Sequence, residues 1–174
     1  MLIKKRVKSL LLVICLCMAS NNALASNSSV QGKIKRLIKT TEERYGIPSG
    51  LLEAIAFVES GINNHAINVD GKPVIATNNK EALKVIADAQ ENGIRNIDVG
   101  VMQLNYRFHS KAFANIQEML NPKNNIEYAA KLLIRLKKQH GTWYAAICNY
   151  HSSKPDHQRK YSYKVVMKWG QKYA

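Results

Sequence analysis

The fold class is decided by residues 122–140, which read PKNNIEYAAKLLIRLKKQH. The apolar residues of this stretch recur every three or four positions, the spacing that places side chains on one face of an α-helix. Pro122 suits the first position of a helix, and Gly141 suits the residue just after its end. The stretch therefore predicts one long amphipathic helix, whose buried face is Ile126, Ala129, Ala130, Leu133 and Leu136.

Shorter segments on both sides of this stretch show the same helical spacing. They predict further helices over residues 33–46, 49–60, 78–92, 116–120, 142–150 and 158–169. Residues 68–75 instead predict a small hairpin, with Asp70-Gly71 at the turn and Pro73 in an edge strand. We therefore expect a mostly α fold of the α+β type, a single helical domain with one small β-hairpin.

The first 25 residues have the pattern of a cleavable signal peptide. Four basic residues precede an apolar run over residues 9–19, and Ala23-Leu24-Ala25 supplies the small-x-small pattern of a cleavage site. The run is too short to span a bilayer comfortably, although an uncleaved anchor is the alternative. We expect export through a Sec-type signal, a domain over residues 26–174 and no stable membrane span after cleavage.

The composition of residues 26–174 excludes several classes of protein. Cys148 is the only cysteine there, so no internal disulfide can form. The five histidines are scattered without a zinc-binding spacing, and we expect neither a metal nor another cofactor. The excess of 22 Lys and Arg over 12 Asp and Glu suits an anionic polymer. An exported protein rarely meets nucleic acid, so we expect no nucleic-acid partner.

Glu59 is unusual for its position in the predicted helix 49–60. It follows Leu52 by seven residues and Ile55 by four, so it shares their apolar face. It also lies in the last turn, where the helix dipole disfavours a negative charge. Burial and the dipole together predict a raised pKa, as the general acid of a glycosidase requires. The alternative is a partly exposed glutamate at a helix end.

Four short motifs then follow one another in a recognisable order. They are Glu59-Ser60-Gly61; DVGVMQLN at residues 98–105; Asn121-Pro122 with Asn124-Asn125-Ile126 and Ala129-Ala130; and Ala145-Ala146 with Tyr150. Over residues 34–161 this resembles the soluble lytic transglycosylase (SLT) family of the lysozyme-like superfamily. More narrowly, it is similar to the small members that accompany type III and type IV secretion, conjugation and type IV pilus systems.

The resemblance implies a lysozyme-like fold, with the hairpin beside a cleft between the Glu59 helix and residues 98–105. It makes Glu59 the catalytic glutamate and Ser60 the residue that orients its carboxyl. It also implies five substrate-binding residues, which are Ser60 itself, Met102, Gln103, Asn105 and Tyr150. The chain departs from the family where His151-Ser152-Ser153 replaces the usual Asn-x-Gly after the tyrosine.

Asp98 is the second candidate catalytic residue. The segment 98–105 also looks like the part of animal-type lysozymes that carries a second catalytic aspartate. An Asp98 that faces the cleft could stabilise the oxocarbenium-like transition state or act as nucleophile. The alternative is that Asp98 only forms a turn before Gly100.

The activity implied by the resemblance is cleavage of the β-1,4 bond between N-acetylmuramic acid and N-acetylglucosamine with a 1,6-anhydro product. The expected partners are peptidoglycan glycan strands and components of a secretion, conjugation or pilus apparatus, and we expect a monomer in the periplasm. Two alternatives stay open. One is a hydrolytic muramidase that uses Glu59 and Asp98, and the other is a wall-binding adaptor with little catalysis.

Overall fold

The computed structural model describes residues 29–152 and 154–171. The predicted signal peptide, residues 1–25, lies outside the described residues. The chain divides into a unit of residues 1–34, whose described part is helical, and a unit of residues 35–174. All elements named below belong to the second unit. Within the described ranges, no helix combines the length and the apolar character needed to cross a membrane.

Helices make up most of the described fold, as predicted. After α1, residues 35–45, the helices are α2 (Leu51–Ser60), α3 (Asn79–Glu91), α4 (Tyr106–His109), α5 (Ile116–Leu120), α6 (Pro122–His140), α7 (Trp143–His151) and α8 (Pro155–Gly170). The long helix over residues 122–140 is confirmed to the residue. Helix α8 begins at Pro155 rather than at 158, because proline fits the first helical turn and extends the helix backwards.

The β-structure is larger than the single hairpin that the sequence predicts. Strands β1 (Ala66–Val69) and β2 (Lys72–Ile75) form the predicted hairpin, with Asp70 and Gly71 both at positive φ. Strands β3 (Ile97–Val99) and β4 (Leu104–Asn105) extend it into an antiparallel sheet of order β2-β1-β3-β4. The two added strands are three and two residues long, too short to show an alternating pattern in the sequence.

The hydrophobic core lies among the helices and contains the predicted face of α6 except Leu136, which lies near the end of the helix and is only partly buried. Helix α8 packs against α2 and α7, and α7 packs against α6. The α6 residues Ile126 and Leu133 and the α2 residues Leu52 and Ile55 are all fully buried. The core therefore fixes the direction of α2, which brings the C-terminal end of that helix close to α7 and α8.

A buried carboxylate holds the first turn of α2. The residue before this helix is Gly50, which has no side chain to cap it. The Glu42 carboxylate instead accepts hydrogen bonds from the backbone N–H groups of Gly50 at 2.8 Å, Leu52 at 2.8 Å and Glu53 at 3.2 Å. Glu42 is 2% exposed. It takes the place of an N-cap and adds a negative charge at the positive end of the helix dipole.

Glu42→Ala should destabilise the fold by about 3 kcal/mol, because three buried N–H groups lose a charged acceptor. Urea unfolding followed by circular dichroism measures the change. Glu43→Ala is the control, since the Glu43 side chain is 64% exposed and its one ion pair, with Lys39, is long at 3.9 Å. Equal unfolding free energies for the two variants would contradict a capping role for Glu42.

Candidate active site

Glu59 lies in the last turn of α2, facing the protein interior as the spacing predicts. Its side chain is 10% exposed. The helix ends at Gly61, whose φ of 64° is in the left-handed region that glycine adopts without strain. Glu59 is therefore held at the end of a helix whose apolar residues are buried in the core.

The surroundings of Glu59 favour its protonated form. Burial is the main cause that raises the pKa of this carboxyl from 4.5 to about 8. The Tyr161 hydroxyl acts in the opposite direction, and the charge of Asp98 adds a smaller upward effect. The predicted upward shift of the pKa is confirmed. At neutral pH the group carries a proton that it can donate.

Tyr161 on α8 faces Glu59, a placement that the sequence analysis missed. Tyr161 is 5% exposed, and its hydroxyl has no well-aligned hydrogen bond among the described residues. The hydroxyl approaches the Glu59 carboxyl closely enough to affect its pKa, but short of good hydrogen-bond geometry. In the sequence Tyr161 is one more apolar position of an amphipathic helix, so no local signal distinguishes it.

Asp98 lies in strand β3, not in a turn. Its charge influences the pKa of Glu59 and that of His151. It pairs across the sheet with Asn105, whose amide donates to Asp98 Oδ1 at 2.8 Å and to Asn96 Oδ1 at 2.9 Å. Burial raises the pKa of Asp98, and Asn105 and His151 partly offset this. Asn105, predicted to bind substrate, thus holds the Asp98 side chain in this structure.

His151 occupies the position where the family usually has asparagine. Its ring stacks on Tyr161, with the centroids 4.6 Å apart and the planes 10° from parallel. Its Nδ1 lies 4.0 Å from Glu59 Oε1. Burial lowers the pKa of His151, while that of Glu59 is raised, so near neutral pH both groups are uncharged. The contact is therefore not an ion pair, and the sequence showed His151 only as a departure from the motif.

Residues 101–103 pack directly against the end of α2. Ser60 Oγ donates to the Val101 carbonyl at 2.7 Å and accepts from Asn63 N–H at 3.1 Å. Tyr150 donates its hydroxyl to the Met102 carbonyl at 3.0 Å. Ser60 and Tyr150 thereby fix the position of this segment beside Glu59.

The side chains of Met102 and Gln103 are held by contacts within the protein in this structure. The Met102 side chain is fully buried, so it presents no surface to a sugar in this structure. Gln103 has a φ of 44°, and its side-chain amide donates to the carbonyls of Ala66 and Gly100, each at 2.9 Å. Their predicted role in substrate binding stays a prediction, as do those of Asn105 and Tyr150.

Glu59 opens into a depression of about 380 Å³, which we call the Glu59 depression. Its walls come from the ends of α2 and α7 and from α8: Val58, Glu59, His151, His157, Lys160, Tyr161 and Lys164. The cleft wall expected from residues 98–105 stays a prediction. That segment contacts α2 through Ser60, and the charge of its Asp98 influences the pKa of Glu59. The described residues contain no group of three His, Cys, Asp or Glu side chains placed to bind a metal ion.

Comparison with known proteins shows the family of the chain. The family model described as "Transglycosylase SLT domain" matches residues 36–167. Protein IpgF of Shigella flexneri and protein IpgF of Shigella sonnei are each 36% identical over 123 residues, which is 68% of this chain and 66% of theirs. The chain thus spans slightly less than two thirds of these relatives. No solved structure gives a significant match.

The matched range contains α2 with Glu59, the strand with Asp98, and α7 with Tyr150 and His151. Most of the described fold therefore lies inside the region that defines the family. The chain belongs to the transglycosylase SLT domain family.

Proposed function

We propose that the protein is a lytic transglycosylase that cleaves the β-1,4 bond between N-acetylmuramic acid and N-acetylglucosamine in peptidoglycan. The observation that supports this most directly is Glu59, a buried carboxyl whose pKa is raised to about 8 next to an open depression. Such a group can donate a proton to a glycosidic oxygen at neutral pH. Membership of the SLT family supports peptidoglycan as the substrate.

In the proposed reaction, Glu59 first gives its proton to the glycosidic oxygen as the bond to C1 breaks. The resulting carboxylate then removes the proton of the C6 hydroxyl on the same sugar, and the C6 oxygen attacks C1. The product carries a 1,6-anhydro ring, no water is consumed, and Glu59 ends protonated again. The buried setting of Glu59 suits both steps, because it makes the carboxylate a stronger base once the proton has left.

The alternative within enzymes is hydrolysis with Asp98 as nucleophile or electrostatic stabiliser. One observation favours it: the charge of Asp98 acts on Glu59 and His151, so the three groups share one site. Hydrolytic glycosidases usually have two catalytic carboxylates, one on each side of the sugar ring. The products distinguish the two reactions.

The test is a digest of purified peptidoglycan with the fragments read by mass spectrometry. A lytic transglycosylase releases fragments that end in 1,6-anhydro-N-acetylmuramic acid. A hydrolase releases reducing ends that are heavier by one water. Reducing ends as the initial product would refute the proposed reaction and favour the muramidase.

Asp98→Asn should lower the cleavage rate at pH 6 by less than about tenfold and change its pH dependence. Removing the Asp98 charge removes one cause that raises the pKa of Glu59. The pKa of Glu59 then falls, and the alkaline limb of the pH–rate profile moves to lower pH. Initial rates of fragment release from pH 5 to 9 measure this.

Loss of a nucleophile would have a different signature in the same assay. If Asp98 forms a covalent intermediate, the rate falls by about three orders of magnitude or more at every pH. Asn68→Ala is a control, because Asn68 faces Asp98 across the sheet without carrying a charge. A uniform collapse with Asp98→Asn alone would overturn the view that Asp98 only adjusts Glu59.

We further propose that the protein acts in the periplasm and opens the wall locally for a secretion, conjugation or pilus apparatus. The pattern of residues 1–25 and the resemblance to the small specialised SLT proteins support this. A Glu59→Gln strain with normal protein level distinguishes the enzyme from a wall-binding adaptor. Lost assembly of the apparatus supports an enzymatic role, and normal assembly supports the adaptor.

A further inference from the structure

The wall of the Glu59 depression contributed by α8 is basic. His157, Lys160 and Lys164 follow one another at intervals of three and four residues, so they lie on one face of the helix. Both lysines are exposed at the rim. Among residues 29–152 and 154–171, neither lysine has an ion-pair partner. The depression beside the general acid is thus bordered by two uncompensated positive charges.

Other cations of the same helix do have partners. Arg159 pairs with Asp156 at 3.2 Å, and the Lys168 ammonium lies 3.8 Å from the centre of the Phe57 ring. Like charges at positions i and i+4 destabilise a helix, so Lys160 and Lys164 do not help α8 to form. Both ammonium groups are therefore available to an anionic ligand.

We propose that Lys160 and Lys164 form a subsite for a carboxylate of the substrate beside the scissile bond. This rests on the proposed function, because it takes peptidoglycan as the polymer bound. Neutral sugar hydroxyls do not require two ammonium groups, whereas the anionic groups attached to N-acetylmuramic acid are carboxylates. A volume of about 380 Å³ is within the usual range for small-ligand pockets.

Carboxylates from two parts of the polymer have the required chemistry. One belongs to the lactyl group of N-acetylmuramic acid and is free only where the stem peptide has been removed. The others belong to the stem peptide itself. Substrates that differ only in these groups distinguish the two sources.

Binding and cleavage should be measured separately on three forms of insoluble peptidoglycan. The first has intact stems, the second has been treated with an amidase that leaves the lactyl carboxylate free, and the third has its carboxyls amidated chemically. Co-sedimentation of the purified protein measures binding. The test variant is Lys160→Gln/Lys164→Gln, and the control is Lys123→Gln/Lys138→Gln, which removes two exposed charges from α6.

The test variant should bind about threefold to tenfold more weakly than the control variant to a carboxylate-bearing form. Weaker binding of the test variant to the intact form alone assigns the subsite to stem carboxylates. A loss on the amidase-treated form alone assigns it to the lactyl group. On the amidated form the two variants should bind equally.

Equal binding of the two variants to all three forms would overturn the subsite. So would wild-type protein that binds the amidated form as well as it binds both carboxylate-bearing forms. Failure of the proposed function appears elsewhere, as an absence of fragments from the wild-type protein. That result leaves the binding comparison readable, so the two failures are distinguishable.

Discussion

Glu59→Gln is expected to reduce cleavage of peptidoglycan by at least about a thousandfold. Glutamine keeps the size of the side chain, but it can neither give a proton to the glycosidic oxygen nor take one from the C6 hydroxyl. A single general acid or base contributes about a hundredfold to ten-thousandfold, and Glu59 is proposed to act as both. Release of 1,6-anhydro fragments from purified peptidoglycan measures the loss.

The same variant should be more stable than the wild-type protein at neutral pH. The pKa of Glu59 is about 8 in the fold against 4.5 in the unfolded chain. Below pH 4.5 the carboxyl is protonated in both states and costs nothing. As the pH rises toward 8, the unfolded chain releases a proton that the folded chain retains, so the wild-type fold loses stability. At pH 7 the gain from glutamine should be on the order of 2 to 3 kcal/mol.

Glu53→Gln is the matched control on the same helix. The Glu53 side chain is 33% exposed and pairs with Lys35 at 3.3 Å. It should cleave at the wild-type rate and unfold within about 0.5 kcal/mol of wild type. A Glu59→Gln protein that retains a tenth of the activity would exclude Glu59 as the general acid. A stability gain that is the same at pH 4 and pH 7 would contradict the raised pKa.

The residues of the candidate site could be predicted from the sequence only where a periodic pattern or a family motif indicated them. Glu59 is visible because a carboxyl on an apolar helical face conflicts with its surroundings. Tyr161 and His151 are not, because their importance comes from the packing of α7 and α8 against the end of α2. The spacing of residues within one helix does not predict how that helix packs against another.

The fold shows the same limit. The long helices have enough turns for their apolar faces to be read from the sequence, so their ends are nearly right. Strands β3 and β4 are defined by their pairing with β1 and with each other, which is a tertiary property. The cap that Glu42 provides for α2 joins residues eight to eleven positions apart through a loop, and no capping motif describes it.

Asn125 illustrates a motif residue whose role only the structure explains. Its position in α6 is fully buried, where a polar side chain needs partners. Its Oδ1 accepts from Met102 N–H at 2.9 Å, and its Nδ2 donates to the carbonyls of Val99 and Met119, each at 3.0 Å. A methyl group on Gly100 would come within 3.1 Å of the same amide. Asn125 therefore ties β3, the segment after it and α5 to α6.

Asn125→Ala is expected to destabilise the protein by about 4 kcal/mol and to lower its melting temperature by about 10 °C. The change removes the acceptor of one buried N–H and one donor from each of two buried carbonyls, and it leaves a small cavity. Thermal and urea unfolding measure it. Asn124→Ala is the control, because the amide of Asn124 bonds to Glu118 at the surface, and it should cost less than about 1 kcal/mol.

Asn125→Asp separates hydrogen bonding from packing at this site. Aspartate has nearly the same volume and keeps an acceptor for Met102 N–H, but it removes both donors and places a carboxyl opposite two carbonyls. If the hydrogen bonds hold the segment, Asn125→Asp destabilises the fold at least as much as Asn125→Ala does. Cleavage should fall with it, because Met102 lies between Asn125 and Tyr150 in the contacts that position this segment beside Glu59. A stable Asn125→Asp protein would show that the two hydrogen bonds donated by Asn125 Nδ2 contribute little to stability.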